Sequence, residues 1–273
     1  MTATLVDTAR PEHDAVGERV TLAQTFSQTM TLAWRATMKM RRNFEQMFDV
    51  TIQPLLFTMM FAYIFGGAIS SSVQDYLPVI IPGLIGQTIL TACIATGVQL
   101  REDMDKGVFD RFKVLPIARI APLAGPMVAD LIRYAIASTL TFATGIAMGY
   151  RPGGGALGVL GAILLAIAAG WSIAWIFTWF GTRGKTAQAV QGMSMMVMFP
   201  LTFLSNAFVP TETMPNWLRT FADINPVSHV ISAIRSLAND GAVTGEVGWA
   251  LLGCAVIIAV FAPLAVRSFN RKM

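Results

Sequence analysis

Asp130 and Arg133 are charges set at the edge of an otherwise apolar run, and three residues apart they share one helical face and can pair. One reading is that both snorkel to the cytoplasmic end of a membrane span; the other is a polar site at the entrance of a substrate path. Gly184-Lys185-Thr186 imitates the end of a phosphate-binding loop. That pattern needs glycine at position 179, where Trp179 stands, and a preceding strand. No other stretch supplies a complete phosphate cradle, so the chain is expected not to hydrolyse ATP itself. His13 and His229 cannot build a metal cluster, and His229 reads either as a pH-sensitive lid residue or as a surface or capping residue. Cys93 and Cys254 stand in apolar runs with no metal spacing and are expected to be free packing residues. Met193, Met195, Met196 and Met198 could offer soft thioethers to copper, or pliable packing that suits varied apolar substrates. Met195 and Met198, with Phe199 and Phe203 just beyond, join Asp130 and Arg133 as candidates for a substrate path or gate. No Ser/His/Asp grouping stands out, so no catalytic residues are assigned.

The elements that would hold these residues belong to lipid. Of 273 residues, 54% are apolar and 13% charged, and the mean hydropathy is +0.58. A soluble domain runs at about 25% charged. Disordered chains, collagens and ordinary soluble enzymes are excluded. A charge at the centre of a spanning helix costs roughly 2.5–3.5 kcal/mol, so uncharged runs mark spans. Such runs separate Asp49 from Asp75, Asp75 from Arg101, Arg133 from Arg151, Arg151 from Arg183, Lys185 from Glu212 and Glu246 from Arg267. Helices are expected near 50–68, 78–100, 127–149, 157–181, 187–208 and 247–266. Strands with period-two alternation are absent from the pattern, and an open sheet cannot live in lipid.

Sixteen of the 20 Lys and Arg fall on one side of this arrangement and three on the other, with Arg133 at a span edge. The positive-inside rule then puts both termini in the cytoplasm, as an even span count also requires. The net charge of +4 is a topology signature, and no nucleic-acid partner is expected. The first apolar run begins too far into the chain for a secretory signal. Residues 1–20 read as a disordered cytosolic tail, and 21–273 as the membrane domain.

Over 21–48, Leu22, Phe26, Met30, Ala33, Thr37, Met40, Phe44 and Met47 recur at helical steps, while Arg35, Lys39 and Arg42 line another face beside Trp34. This reads as an amphipathic helix lying on anionic lipid, with a helix packed on protein as the alternative. From Arg101 to Lys113 acidic residues lead and basic ones follow, the order a helix dipole favours. Val108, Phe109 and Phe112 give an apolar edge before Pro116 stops the helix. A short cytosolic helix between spans could carry a push from a soluble partner; the alternative is a solvated loop. Between Phe199 and Gly245, Pro200, Pro210, Pro215 and Pro226 interrupt a weakly charged segment, suggesting short half-buried helices in the outer leaflet. Broken backbone at that depth is tolerated only where protein covers it.

Three of these stretches together resemble the membrane subunits of type-2 ABC exporters, above all the daunorubicin-resistance-like permeases of actinobacteria. They are Glu102-Asp103 through Gly107-Val108-Phe109-Asp110-Arg111-Phe112 to Leu115-Pro116-Ile117-Ala118-Arg119; Phe199 to Pro210 followed by Met214-Pro215-Asn216-Trp217; and Asn225-Pro226-Val227-Ser228 with Arg235 beyond. Glycine often stands near Asn206 in relatives, so substrate contacts there do not carry over. The resemblance implies an all-α integral membrane protein of six spans, with an N-terminal interfacial helix, a cytosolic coupling helix and outer re-entrant helices before the last span. It implies that Glu102, Asp103, Gly107, Phe109, Arg111, Phe112, Pro116 and Arg119 engage a separate ATP-binding subunit, which holds the ATP and Mg. This chain would carry no cofactor and would pair with a second permease, as homo- or heterodimer. It would reside in the plasma membrane and expel a lipophilic drug or antibiotic, or instead a lipid or polysaccharide intermediate. A self-sufficient carrier or channel is the reading from another class. It would need ionisable residues along its path, and only Asp130 and Arg133 qualify.

Overall fold

The computed structural model describes residues 21–69, 72–109, 117–118, 120–209 and 214–272. The expected disordered tail and the coupling residues Arg111, Phe112, Pro116 and Arg119 lie outside the described residues. Among the described residues the fold is helical, without strands. In chain order the helices are α1 Leu22–Arg42, α2 Phe44–Ile69, α3 Val73–Asp105, α4 Ala121–Ala147, α5 Gly155–Arg183, α6 Ala187–Phe203, α7 Asn216–Ile224, α8 Pro226–Asp240 and α9 Gly245–Asn270.

Stretches of α2, α3, α5 and α9 are long and apolar enough to cross a membrane. Helix α4 carries Asp130 and Arg133, which lower its apolarity. Helix α6 has 17 residues, about 25 Å at 1.5 Å per residue. The long expected run 21–48 is broken at Asn43, whose extended backbone ends α1 and whose N–H closes on Lys39 and Met40 carbonyls. Residues 44–48 therefore open α2. Thr21 and Gln24 form a reciprocal capping box at the start of α1, satisfying two of the first-turn donors.

Helix α3 is the central rod and packs against α2, α4, α5, α6 and α8. Its crossing with α5 is a backbone contact. A Cβ on Gly97 would stand 2.2 Å from the Phe177 carbonyl oxygen, and one on Gly181 would stand 2.5 Å from that of Gly97. Small residues here let two helices approach where lipid offers no hydrophobic drive between them. Gly154 and Gly158 play the same part against the Leu237 carbonyl of α8.

The end of the bundle where α3 starts is held by side chains that reach broken backbone. Pro82 has no N–H, which leaves the Pro78 carbonyl without its helical partner. Asn239 Nδ2 donates to that oxygen at 3.1 Å. Tyr150 donates in turn to Asn239 Oδ1 at 2.5 Å, and burial pushes its hydroxyl up to about 12, so it stays a donor. Arg235 donates to the Val79 and Asn206 carbonyls at 3.2 and 3.0 Å. Asn225 caps α8 through the Val227 N–H and donates to the Leu201 carbonyl beyond α6's Pro200 at 2.8 Å. The buried face of α8, from Val227 to Ala238, covers this irregular backbone, as the proline-broken sequence suggests. Helix α7 buries only Ala222 and half-buries Leu218.

The glycine crossing predicts that Gly97→Val destabilises the bundle by about 2 kcal/mol, the usual cost of overpacking. Denaturation of the purified chain in mixed micelles checks this, with Gly192→Val as the control, because open space surrounds Gly192.

Candidate functional site

In the charged segment after position 100 the acids belong to α3, and Val108 and Phe109 are helical again beyond the turn at Lys106 and Gly107. Helix α3 continues to Asp105, so Glu102, Asp103 and Asp105 occupy the negative end of its dipole, the reverse of the favourable order. Cations offset them. Lys39 of α1 pairs with Asp103 at 3.0 Å, Lys106 with Glu102 at 3.1 Å, and Arg101 with Asp105. Arg101 also donates to the Gly184 carbonyl at the end of α5, at 3.1 Å. Gly107 turns the chain with φ +65°, a left-handed conformation that favours glycine. Beyond it the buried Phe109 meets Phe269 of α9 edge-on at 5.1 Å. Burial, with Arg101 and Arg183 nearby, holds the Lys272 ammonium below its usual range. One small region thus joins α1, α3, the end of α5 and α9.

Trp34, Arg35, Lys39 and Arg42 are exposed on α1. The expected apolar stripe divides: Ala33, Thr37 and Met40 are buried, while Phe26, Met30 and Phe44 face outward. The buried part packs against α4, where Gly125 admits Leu32 and Ala33.

Asp130 and Arg133 do not snorkel. They are 9% and 5% exposed and pair at 2.7 Å. Helix α4 begins at Ala121, ahead of the expected start near 127, so Asp130 lies about 14 Å along it. Thr96 of α3 donates to Asp130 at 2.5 Å. Arg133 donates to the Ala92 carbonyl at 3.0 Å and to Thr96 Oγ1 at 3.2 Å. A cavity of about 310 Å³ lies under α1 and reaches Asp130 and Arg133. A second, of about 410 Å³, lies between α2, α3, α4 and α6 and is lined by Arg133 and Met195.

The other path candidates separate. Met198 is buried beside Thr91, 3.8 Å from its hydroxyl. Phe199 and Phe203 are exposed and line neither cavity. They belong to a stack of rings: Phe199 on Phe203 at 5.6 Å, Phe203 on Phe208 at 5.5 Å, Phe208 on Phe61 at 5.1 Å, and Phe61 on Phe57 at 5.8 Å. His229 bridges α8 to Glu246 of α9 at 2.7 Å, under Trp249. Cys93 and Cys254 are free and buried. Among the described residues no three of His, Cys, Asp and Glu gather as metal ligands.

Residues 27–238 match the ABC-2 type transporter family. A daunorubicin resistance ABC transporter permease of Streptomyces coeruleorubidus is 42% identical over 258 residues, 94% of this chain and 91% of the relative. A probable doxorubicin resistance ABC transporter permease of Mycobacterium tuberculosis is 26% identical over 250 residues, 91% of this chain and 89% of the relative. A putative transport permease of the alga Pyropia yezoensis is 24% identical over 216 residues, 76% of this chain and 70% of the relative. The chain belongs to the ABC-2 type transporter family. It is the permease subunit of an ABC transporter, and its family implies an ATP-binding partner.

For this ABC-2 permease the residues that sequence reasoning missed are neutral: Thr96, Gln53, Gln99 and Gln191, all at the ion pair or the second cavity. Amides inside or near apolar runs are costly in hydrocarbon, and that cost is the signal that could have found them. The buried pair predicts a split between variants. Arg133→Leu strands a buried carboxylate and should destabilise by about 3–5 kcal/mol. The double variant Asp130→Asn with Arg133→Gln should keep most of the stability, as read by denaturation in mixed micelles.

Proposed function

We propose that this permease is the membrane half of an ATP-driven exporter that moves lipophilic drugs or antibiotics out of the cell. The observation that carries the proposal is the 42% identity, across 94% of the chain, to a daunorubicin resistance permease. In this reading α2, α3, α4, α5, α6 and α9 are six spans of the plasma membrane, with both termini cytoplasmic. Two such subunits, identical or different, form the pathway. The surplus length of α3 supports the arrangement: it is about 50 Å long, against a hydrocarbon thickness of about 30 Å. Its charged end then projects toward the cytosol.

ATP and Mg belong to the partner subunit, which grips the segment around Glu102, Asp103, Gly107 and Phe109. A ligand shifts a conformational equilibrium only through differential contact with its two states. The ion pair Lys39–Asp103 and the ring contact Phe109–Phe269 support that role, because movement at the grip would reach α1, α3 and α9 together. Helix α1, with Phe26 and Trp34 outward and Arg35, Lys39 and Arg42 exposed, lies against inner-leaflet lipid.

The test is export by vesicles that carry the permease and its ATP-binding subunit. Daunorubicin should accumulate on ATP addition and be indifferent to a proton uncoupler. Gly107→Pro forces φ to about −65°, and should abolish accumulation while the chain still inserts and is recovered from the membrane. Uncoupler-sensitive transport with ATP intact would favour a carrier instead.

A further inference from the structure

Helix α1 ends and α2 begins at Asn43, and the elbow between them holds an open cleft of about 580 Å³. Its lining is Arg35, Met38, Lys39, Arg42, Asn43 and Phe44. We infer that this cleft is a headgroup site for one anionic phospholipid of the inner leaflet. Arg42, Arg35 and Lys39 surround its phosphate, and Phe44 and Phe48 carry its glycerol and the upper part of its chains. This rests on the reading of α2 as a span with α1 lying on inner-leaflet lipid, and it replaces a diffuse attraction along α1 by a single site.

Spacing collects the charge. Residues 35, 39 and 42 stand four and three apart, so they share one face of α1. That face is turned into the elbow, where all three line the cleft and no acidic side chain does. Arg41 carries the same charge but is turned about 100° from Arg42, and it is not in the lining. Lys39 is partly committed, because Asp103 of α3 meets it at 3.0 Å. Arg42 makes no ion pair among the described residues. The Asn43 N–H already closes on the Lys39 and Met40 carbonyls, so these two groups at the end of α1 need no cation. A guanidinium can give two parallel N–H bonds to a phosphate, and the start of α2 adds the positive end of a helix dipole.

The aromatic side of the elbow selects the kind of anion. Phe44 is 83% exposed and Phe48 46%, with their rings 6.3 Å apart on the opening turns of α2. A free phosphate would leave these rings uncovered. A phospholipid covers them while its phosphate takes the cations, the division of labour of an interfacial helix. Basic pockets at the cytoplasmic ends of membrane helices recognise acidic headgroups in this way. Because Lys39 also holds Asp103, the bound headgroup would sit one ion pair away from the end of α3.

The experiment uses the full chain assembled with its ATP-binding subunit in mixed micelles of phosphatidylcholine and phosphatidylglycerol. Phosphatidylglycerol retained by the purified assembly is counted by mass spectrometry as its fraction rises. The unaltered assembly should retain one more phosphatidylglycerol per copy of this chain than the double variant Arg35→Gln with Arg42→Gln. Arg42→Gln alone should raise the half-saturating fraction about fivefold, the scale of one lost cation at an acidic lipid, and Arg42→Lys should recover most of that loss. Arg41→Gln should leave the fraction unchanged. Equal values for Arg41→Gln and Arg42→Gln mean a diffuse attraction and overturn the site. Displacement of the lipid by inorganic phosphate makes the cleft a free-phosphate site and also overturns the proposal. A difference between these variants that appears in the isolated chain and vanishes in the assembly gives the cleft to the ATP-binding subunit, and overturns it too. Arg41→Cys separates the site from the topology beneath it, because Arg41 is exposed and the native cysteines are buried. An impermeant maleimide should reach this thiol only after intact cells are opened. Labelling from outside intact cells overturns the placement of α1 at the inner leaflet, and the site falls with it.

Discussion

Pro82 removes an amide hydrogen from the central helix at a point that the neighbouring helices bury. In hydrocarbon each unsatisfied backbone group costs several kcal/mol, so the freed Pro78 carbonyl fixes what must stand opposite. Asn239 supplies the donor, Tyr150 orients Asn239, and Arg235 holds the neighbouring Val79 and Asn206 carbonyls. Helix α8 can meet these groups only by lying close against α3 and α5, and Gly154 and Gly158 give it the room. This end of the fold is therefore arranged around a hydrogen-bond debt inside α3. The half-buried α8 is a source of donors rather than a loop that happens to dip inward.

The same rod carries the chemistry at its other end. Helix α3 runs unbroken from the proline pair past Thr96 to the charged turn at Asp105. Side chains along its whole length are thus fixed relative to one another. Its contact with α5 at Gly97 and Gly181 leaves backbone against backbone, with no side chain to yield. Close packing of this kind resists continuous deformation and favours discrete rearrangements. A push on the Glu102–Phe109 region would then be delivered as a shift of whole helices.

How far the chain announces this can be judged residue by residue. The apolar runs place the helices because hydrophobicity and charge are local properties. Asn43 was missed as a break because one amide between two helical patterns has no distinctive period. The acidic-then-basic order after Arg101 suggested a helix of its own, yet α3 absorbs the acids. Lys39, distant in sequence, pairs with Asp103, and Arg101 and Lys106 pair with Asp105 and Glu102. Such pairing is of the same size as the dipole preference, about 0.3–1 kcal/mol, and offsets it. Asp130 and Arg133 were visible as a pair, but their depth was not, because the start of α4 depends on Pro122 and on the packing of Gly125 against α1. The cavity between four helices is a property of the assembled bundle, and no spacing along one chain encodes it.

The buried ion pair is better understood through position than through stability. Charges removed from water lose solvation that mutual attraction only partly returns, and a well-packed apolar pair of similar volume would often hold the helices as firmly. What an apolar pair lacks is register. Asp130 accepts from Thr96, and Arg133 reaches both Thr96 and the Ala92 carbonyl one turn away on α3. A slip of α4 along α3 by one residue would break all of these at once and leave the charges unsatisfied. The pair thus fixes the two helices at one level, and that level is where the two cavities meet. Leucines there would let the helices settle at several heights, whereas the ionic pair sets a single one.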